Sequence, residues 1–199
     1  PNLKVLLHTY LISIDAAAGK IQAAQLQSRG RIFSVEVKSL VDASGDAEAA
    51  ALAGADFECA PADRLQRPAY IFGISGADET ALEGDARLKL AHLLSGAVVS
   101  KHLPSEVMGV AFRHGVSRRE IWATLDLQAD PYDPCSPECL TRVEASGRLL
   151  SFEIIRYLQD HADGFDRARI SCTPAQVGIR ESRRVSGLAC ITEEDILQG

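Results

Sequence analysis

Apolar and polar positions alternate clearly in I-F-S-V-E-V-K, residues 32–38, the last of three extended runs that open the sequence. Leu3 to Ile14, L-K-V-L-L-H-T-Y-L-I-S-I, predicts a strand, and Ala16–Lys20 predicts a turn. Ile21–Gln27 and Ile32–Lys38 predict two more strands, with Ser28–Arg31 turning between them. Gly at each turn and a spacing of about ten residues make this a three-stranded meander. Ser39–Val41 then predicts a short apolar strand that feeds Asp42-Ala43-Ser44-Gly45-Asp46. The Ala-rich run 47–53 predicts a helix, stopped by Gly54.

The segment 58–68 carries Cys59, Pro61 and Pro68 and predicts a linker. Beyond it, strands are expected at Ala69–Ile74, Glu106–His114, Glu120–Leu127 and Ala168–Thr173. A helix is expected from Asp78 to about Ser95, with Gly84 as its weak point. The longest expected helix runs from Pro137 to about His161, with Ser136 as N-cap and Pro137 at its first position. Leu140, Val143, Leu150, Ile154 and Leu158 fall on or near one face of it, and Glu144 and Arg148 are spaced to pair. Gly178–Gly187 predicts a loop, and Thr192-x-x-Asp195 an N-cap with an acidic partner.

Composition narrows the classes. With 46% hydrophobic and 24% charged residues, the chain is that of an ordinary globular protein. A net charge of −6 argues against nucleic-acid binding, which needs a basic surface. No apolar run approaches the roughly 20 residues that span a bilayer, and no secretory leader pattern opens the sequence. Five cysteines without a dense framework predict reduced thiols and a cytoplasmic location. Cys135 and Cys139 have a poor spacing for zinc and no completing pair, so no metal is expected. The five histidines have no visible orienting partners, and no nucleophile motif appears. Pro1-Asn2 leads straight into apolar residues, and 195–199 ends inside an expected helix. Both ends are therefore expected to continue in a longer protein.

Two segments carry candidate chemistry. In Val41–Asp46 a small-residue turn feeds a helix, which lets backbone approach a phosphate or a ribose edge. The alternative is an ordinary strand-to-helix turn. In Gly178-Ile179-Arg180-Glu181-Ser182-Arg183-Arg184, three arginines within five residues make a positive patch suited to carboxylates or phosphates. The alternative is a solvated loop with internal ion pairs.

The meander followed by an A-[ST]-G turn resembles the second half of the FAD-binding domain in glutathione-reductase-type flavoproteins. The match is to the FAD-dependent oxidoreductases whose turn reads D-A-T-G-D, with A-G-A downstream; here these are Asp42–Asp46 and Ala53-Gly54-Ala55. The arginine loop resembles that family's G-x-R-E-[ST]-R-R, followed by a match to its G-x-[YL]-x-L-T-x-x-D. Leu140–Arg148 resembles its L-T-x-x-E-x-x-G-R helix, and Gly164–Ala168 its P-G-F-E-x-A, with Asp163 in place of Pro. The resemblance implies that Ala43, Ser44, Gly45 and Asp46 border FAD. It makes Arg180 the candidate for contacting the flavin ring or an anionic substrate, with Arg183 and Arg184 structural or substrate-facing.

The fold so implied is α/β, or α+β for this segment taken alone. Residues 1–57 are expected to form the meander and part of an FAD-binding domain with a parallel sheet edge. Residues 58–177 are expected to form an antiparallel-sheet and helix substrate domain, and 178–199 to return toward the FAD domain. The parent is expected to transfer hydride between a small substrate, anions among the candidates, and flavin. The family's G-x-G-x-x-G is missing, since Gly73–Gly76 lacks the spacing. This segment is therefore expected to supply about half of a cofactor site, to bind FAD weakly and to be inactive alone. The exposed sheet surface is expected to drive homo-oligomerisation. The rival expectation, from the same missing motif, is a cofactor-less scaffold derived from a flavoprotein.

Overall fold

In a computed structural model, residues 3–117 and 119–198 are described. Of the residues behind the expectation about the chain ends, Pro1, Asn2 and Gly199 lie outside the described residues. The chain divides into two compact units, 1–60 with 182–199, and 61–181.

The first unit is built on an antiparallel meander, β1 (Tyr10–Ala17), β2 (Lys20–Ser28) and β3 (Arg31–Glu36). Both hairpins turn on two left-handed residues, Ala18-Gly19 and Arg29-Gly30, the geometry that matches strand twist. The first strand is shorter than its apolar run. Tyr10 already pairs with Gln27, near the end of β2, so Leu3–Thr9 has no strand to bond. His8 also takes a left-handed conformation (φ 52°), and its carbonyl accepts from Ser28 Oγ. Residues 39–41 are irregular, and every registered strand pair is antiparallel, so the expected parallel edge does not form among the described residues.

After helix α1 (Glu48–Leu52) comes β4 (Phe57–Cys59), which pairs antiparallel with β9 (Arg183–Val185). Both lie where the sequence predicts linker and loop. Three-residue strands carry too little alternation to be read locally, and their pairing is fixed only at long range. The unit closes with α4 (Glu193–Gln198), where Thr192 and Asp195 exchange hydrogen bonds as a capping box.

The second unit holds a four-stranded antiparallel sheet in the order β6-β7-β5-β8: Ala111–His114, Glu120–Asp126, Ala69–Ser75 and Arg169–Cys172. Helix α2 (Ala86–Val99) starts eight residues later than expected, because Gly84 sits at φ 51° and breaks the run before it. The expected strand from Glu106 opens instead as a short 3-10 helix, Ser105–Gly109. Helix α3 spans Pro137–His161, with Ser136 Oγ accepting from Cys139 N at 3.2 Å. Its Val143, Leu150, Ile154 and Leu158 join Tyr70, Phe72 and Ile74 of β5, Ile121 and Leu125 of β7, and Leu90 and Leu94 of α2 in one core. These side chains remove enough apolar area from water to dominate the unit's stability.

No helix among the described residues is long and apolar enough to cross a membrane.

Candidate functional site

In the first unit, the small-residue turn is organised by Asp42. Its Oδ1 accepts from Ser44 N at 3.0 Å and from Ser44 Oγ at 2.7 Å, and its Oδ2 accepts from Ala50 N at 3.0 Å. Ser44 Oγ in turn accepts from Glu48 N at 3.1 Å. Carboxylate and hydroxyl thus occupy N–H groups of the first turn of α1. A phosphate at that helix start would meet N–H groups already bonded to Asp42 and Ser44. The surface left open is small and neutral. Ala43, Ser44 and Gly45 are exposed, and Gly45 sits at φ 86° with open space where a Cβ would project.

The hydrogen bonds to Ser44 and Ala50 hold the Asp42 carboxyl below the ordinary carboxylate range. A lowered value means that Asp42 stabilises the fold when ionised, and that this contribution disappears on acidification. Asp42→Ala should therefore lower stability by about 1 kcal/mol at neutral pH, the usual worth of such a cap. The gap to wild type should close as pH falls below about 4. Urea titrations at both pH values check this, and an equal gap at each would refute the role.

The arginine segment meets this turn. Ser182 Oγ donates to Asp46 Oδ1 at 2.6 Å, across 136 residues of sequence, and Arg183 Nη1 donates to the Asp46 carbonyl at 3.2 Å. The Arg183 guanidinium also lies over the Phe57 ring, 5.5 Å from its centre. Arg184 pairs in register with Glu58 across β4 and β9. The two sequence-flagged segments are thus joined within one unit at Asp46, Ser182 and Arg183.

Arg180 belongs to the other unit, where its Nη2 donates to Asp126 Oδ1 at 2.7 Å. Both side chains are roughly half exposed, so the pair is reachable from solvent. Leu127, the residue after Asp126, lines a cleft of about 240 Å³ together with Arg67, Pro68, Gln128 and Tyr132. A separate cleft of about 260 Å³ has Leu90, Leu93 and Phe165 in its wall, with Lys89 and His161 among its polar groups.

His161, His102 and the Glu144–Arg148 pair have partners within the second unit. His161 stacks on Tyr157 with ring centres 4.2 Å apart, and His102 Nδ1 bonds Ser100 Oγ at 2.8 Å. Glu144 and Arg148 pair at 3.6 Å, but Glu144 also accepts from Val177 N, tying α3 to the strand-like entry into the arginine segment. Among the described residues no cluster of three or more potential metal ligands occurs.

Sequence reasoning missed Asp42 and Ser182 as organisers. Asp42 has a local signal, since Asp two positions before Ser is the pattern of a side-chain turn. Ser182 has none, because its partner is distant in sequence.

No curated protein matches the chain. Among solved structures, a triple mutant of the flavin-dependent brominase Bmp2 is similar at 15% identity and a TM-score of 0.46, over 92% of this chain and 41% of that one. The chain thus spans less than half the length of that protein. The FAD dependent oxidoreductase family matches over residues 1–199. With that match covering both units and every segment described above, the chain belongs to the family of FAD dependent oxidoreductases.

Proposed function

We propose that the protein containing this chain is a flavoenzyme that transfers hydride between a small substrate and FAD, and that this chain supplies one wall of the cofactor site. The observation that carries the reading is the exposed Ala43–Gly45 turn, held rigid from within and tied to the arginine segment through Asp46. FAD, when bound, accepts or returns two electrons and a proton equivalent.

The chain's own residues bind and orient. Ala43, Ser44 and Gly45 offer a flat backbone surface to the cofactor. Ser44 Oγ is already engaged with Asp42 and Glu48, so its part is to fix shape. Asp46 completes this wall, with Arg183 and Arg184 supporting it from β9. Arg180 is the residue for an anionic substrate. Its partner Asp126 keeps the guanidinium aimed, and the half exposure of both leaves the outer face of the fork open to a carboxylate.

Exposed Leu3, Val5, Leu7, Tyr10 and Ile32 in the first unit support self-association of this chain. Five free thiols fit a cytoplasmic setting, which fractionation of the source cells checks.

The deciding experiment is a titration of the isolated chain and of the full-length protein with FAD, followed by flavin fluorescence, with light scattering on the same samples. The full-length protein is expected to bind FAD and show flavin absorption. The isolated chain is expected to bind at least a hundred-fold more weakly, to be inactive and to run larger than a monomer. A full-length protein that takes up no FAD rejects the flavoenzyme reading and leaves the scaffold. A monomeric profile rejects self-association.

A further inference from the structure

The turn at 42–47 pays for its shape with backbone strain. Gly45 is left-handed at φ 86°, and Ala47 is left-handed at φ 54°, a region that costs an alanine roughly 1–2 kcal/mol. Asp46 lies between them. Its carboxylate receives the Ser182 hydroxyl at 2.6 Å and its carbonyl the Arg183 guanidinium at 3.2 Å. Ser182 is only 4% exposed, and with Ser151 it is one of two buried polar side chains among the described residues. A buried hydroxyl that donates to a carboxylate makes a short, strong bond, and it is expensive to leave unmade. The strand that begins at the next residue is itself fixed, since β9 pairs with β4 and Ser186 N donates to Asp56 O at 2.9 Å. Ser182 therefore transmits the position of a paired strand to the middle of a strained turn.

We infer that Ser182 is the positioning residue of the cofactor wall: through Asp46 it holds Ala43–Gly45 in the form that FAD meets. The inference rests on the FAD reading for its ligand, and on the Ser182–Asp46 bond alone for its mechanics. Ser182 makes no contact with the cofactor; it acts through Asp46.

The test uses the full-length protein with Ser182→Ala and Ser182→Thr. FAD affinity is read by fluorescence titration, and amide hydrogen exchange is read at residues 44–50 and, as control, in β5 and β7. Ser182→Ala is expected to weaken FAD binding about ten-fold or more. It is also expected to speed exchange at 44–50 while β5 and β7 keep wild-type protection. Ser182→Thr, which keeps the hydroxyl, is expected to recover both. Wild-type affinity and exchange in Ser182→Ala overturn the inference, and so does loss of protection throughout the protein, which marks a general structural role. If the unsubstituted protein binds no FAD, the flavoenzyme reading fails by itself. Faster exchange confined to 44–50 then still supports the tether, and unchanged exchange overturns it.

Discussion

Gly76→Ala should destabilise the protein by about 2–5 kcal/mol, the largest effect expected of any single methyl group here. Gly76 follows directly on β5 and sits at φ 81°, where any L side chain is strained. A Cβ there would also run into the carbonyl oxygen of Arg167, well inside van der Waals contact. That oxygen is backbone, and the backbone is anchored on both sides. Phe165 and Ala168 flank it in the core, and Asp78 N donates to Gly164 O at 2.8 Å. Neither strand end nor loop can yield without opening the core around Phe165. At the usual conversion for a protein of this size, the melting temperature should fall by roughly 5–15 °C. A shift under about 2 °C in a thermal melt would mean that the close approach of residues 76 and 167 is wrong.

The same close approach shows where the sequence was legible. Gly-containing turns and alternating runs place β2, β3, β5 and β7 within two residues and α3 to the residue, because their cues are local: two left-handed positions in each hairpin, or Ser136-Pro137 at a helix start. The first strand was overextended because an apolar run reports burial or exposure, not whether a partner strand exists. Leu3, Val5 and Leu7 are apolar, exposed and unpaired by any strand. The β4–β9 pair was invisible for the opposite reason. Its partners are three residues each and are brought together only by the fold. At the site, the turn and the arginine segment were both readable as segments. Their junction was not, since nothing local in R-E-S-R-R distinguishes the serine that reaches Asp46 from a solvated one. Nor does sequence show that Arg180 and Ser182, two residues apart, fall in different compact units.

Glycines inside helices make a sharper case, because two of them invite the same substitution with opposite results. Gly96 lies within α2 with nothing within 4 Å of where its Cβ would be, so Gly96→Ala should stabilise by up to about 1 kcal/mol through helix propensity. Gly147 lies within α3 and is buried, and its Cβ would come to 2.6 Å from Tyr70 Cγ and 3.0 Å from Leu127 Cδ1. The Tyr70 ring cannot step aside, since it is fully buried with Phe72 6.4 Å away and the sheet behind it. Propensity still favours alanine by about 1 kcal/mol, but overpacking a fixed core costs about 1–3 kcal/mol or more. The contact wins: Gly147→Ala should cost about 1–2 kcal/mol net, and Gly147→Val, with further methyl groups in the same space and little propensity gain, about 3 kcal/mol. Denaturant titrations of the three variants give the test. If Gly147→Ala and Gly96→Ala stabilise alike, α3 does not sit on Tyr70 at this distance. The ordered series, Gly96→Ala above wild type and Gly147→Ala then Gly147→Val below it, requires that it does. The family resemblance of the L-T-x-x-E-x-x-G-R helix then has a physical content in this chain. Its Glu fixes Val177, its Arg pairs with that Glu, and its Gly lets the helix settle on the sheet at Tyr70, next to the Ala69–Gly178 bridge that precedes Arg180.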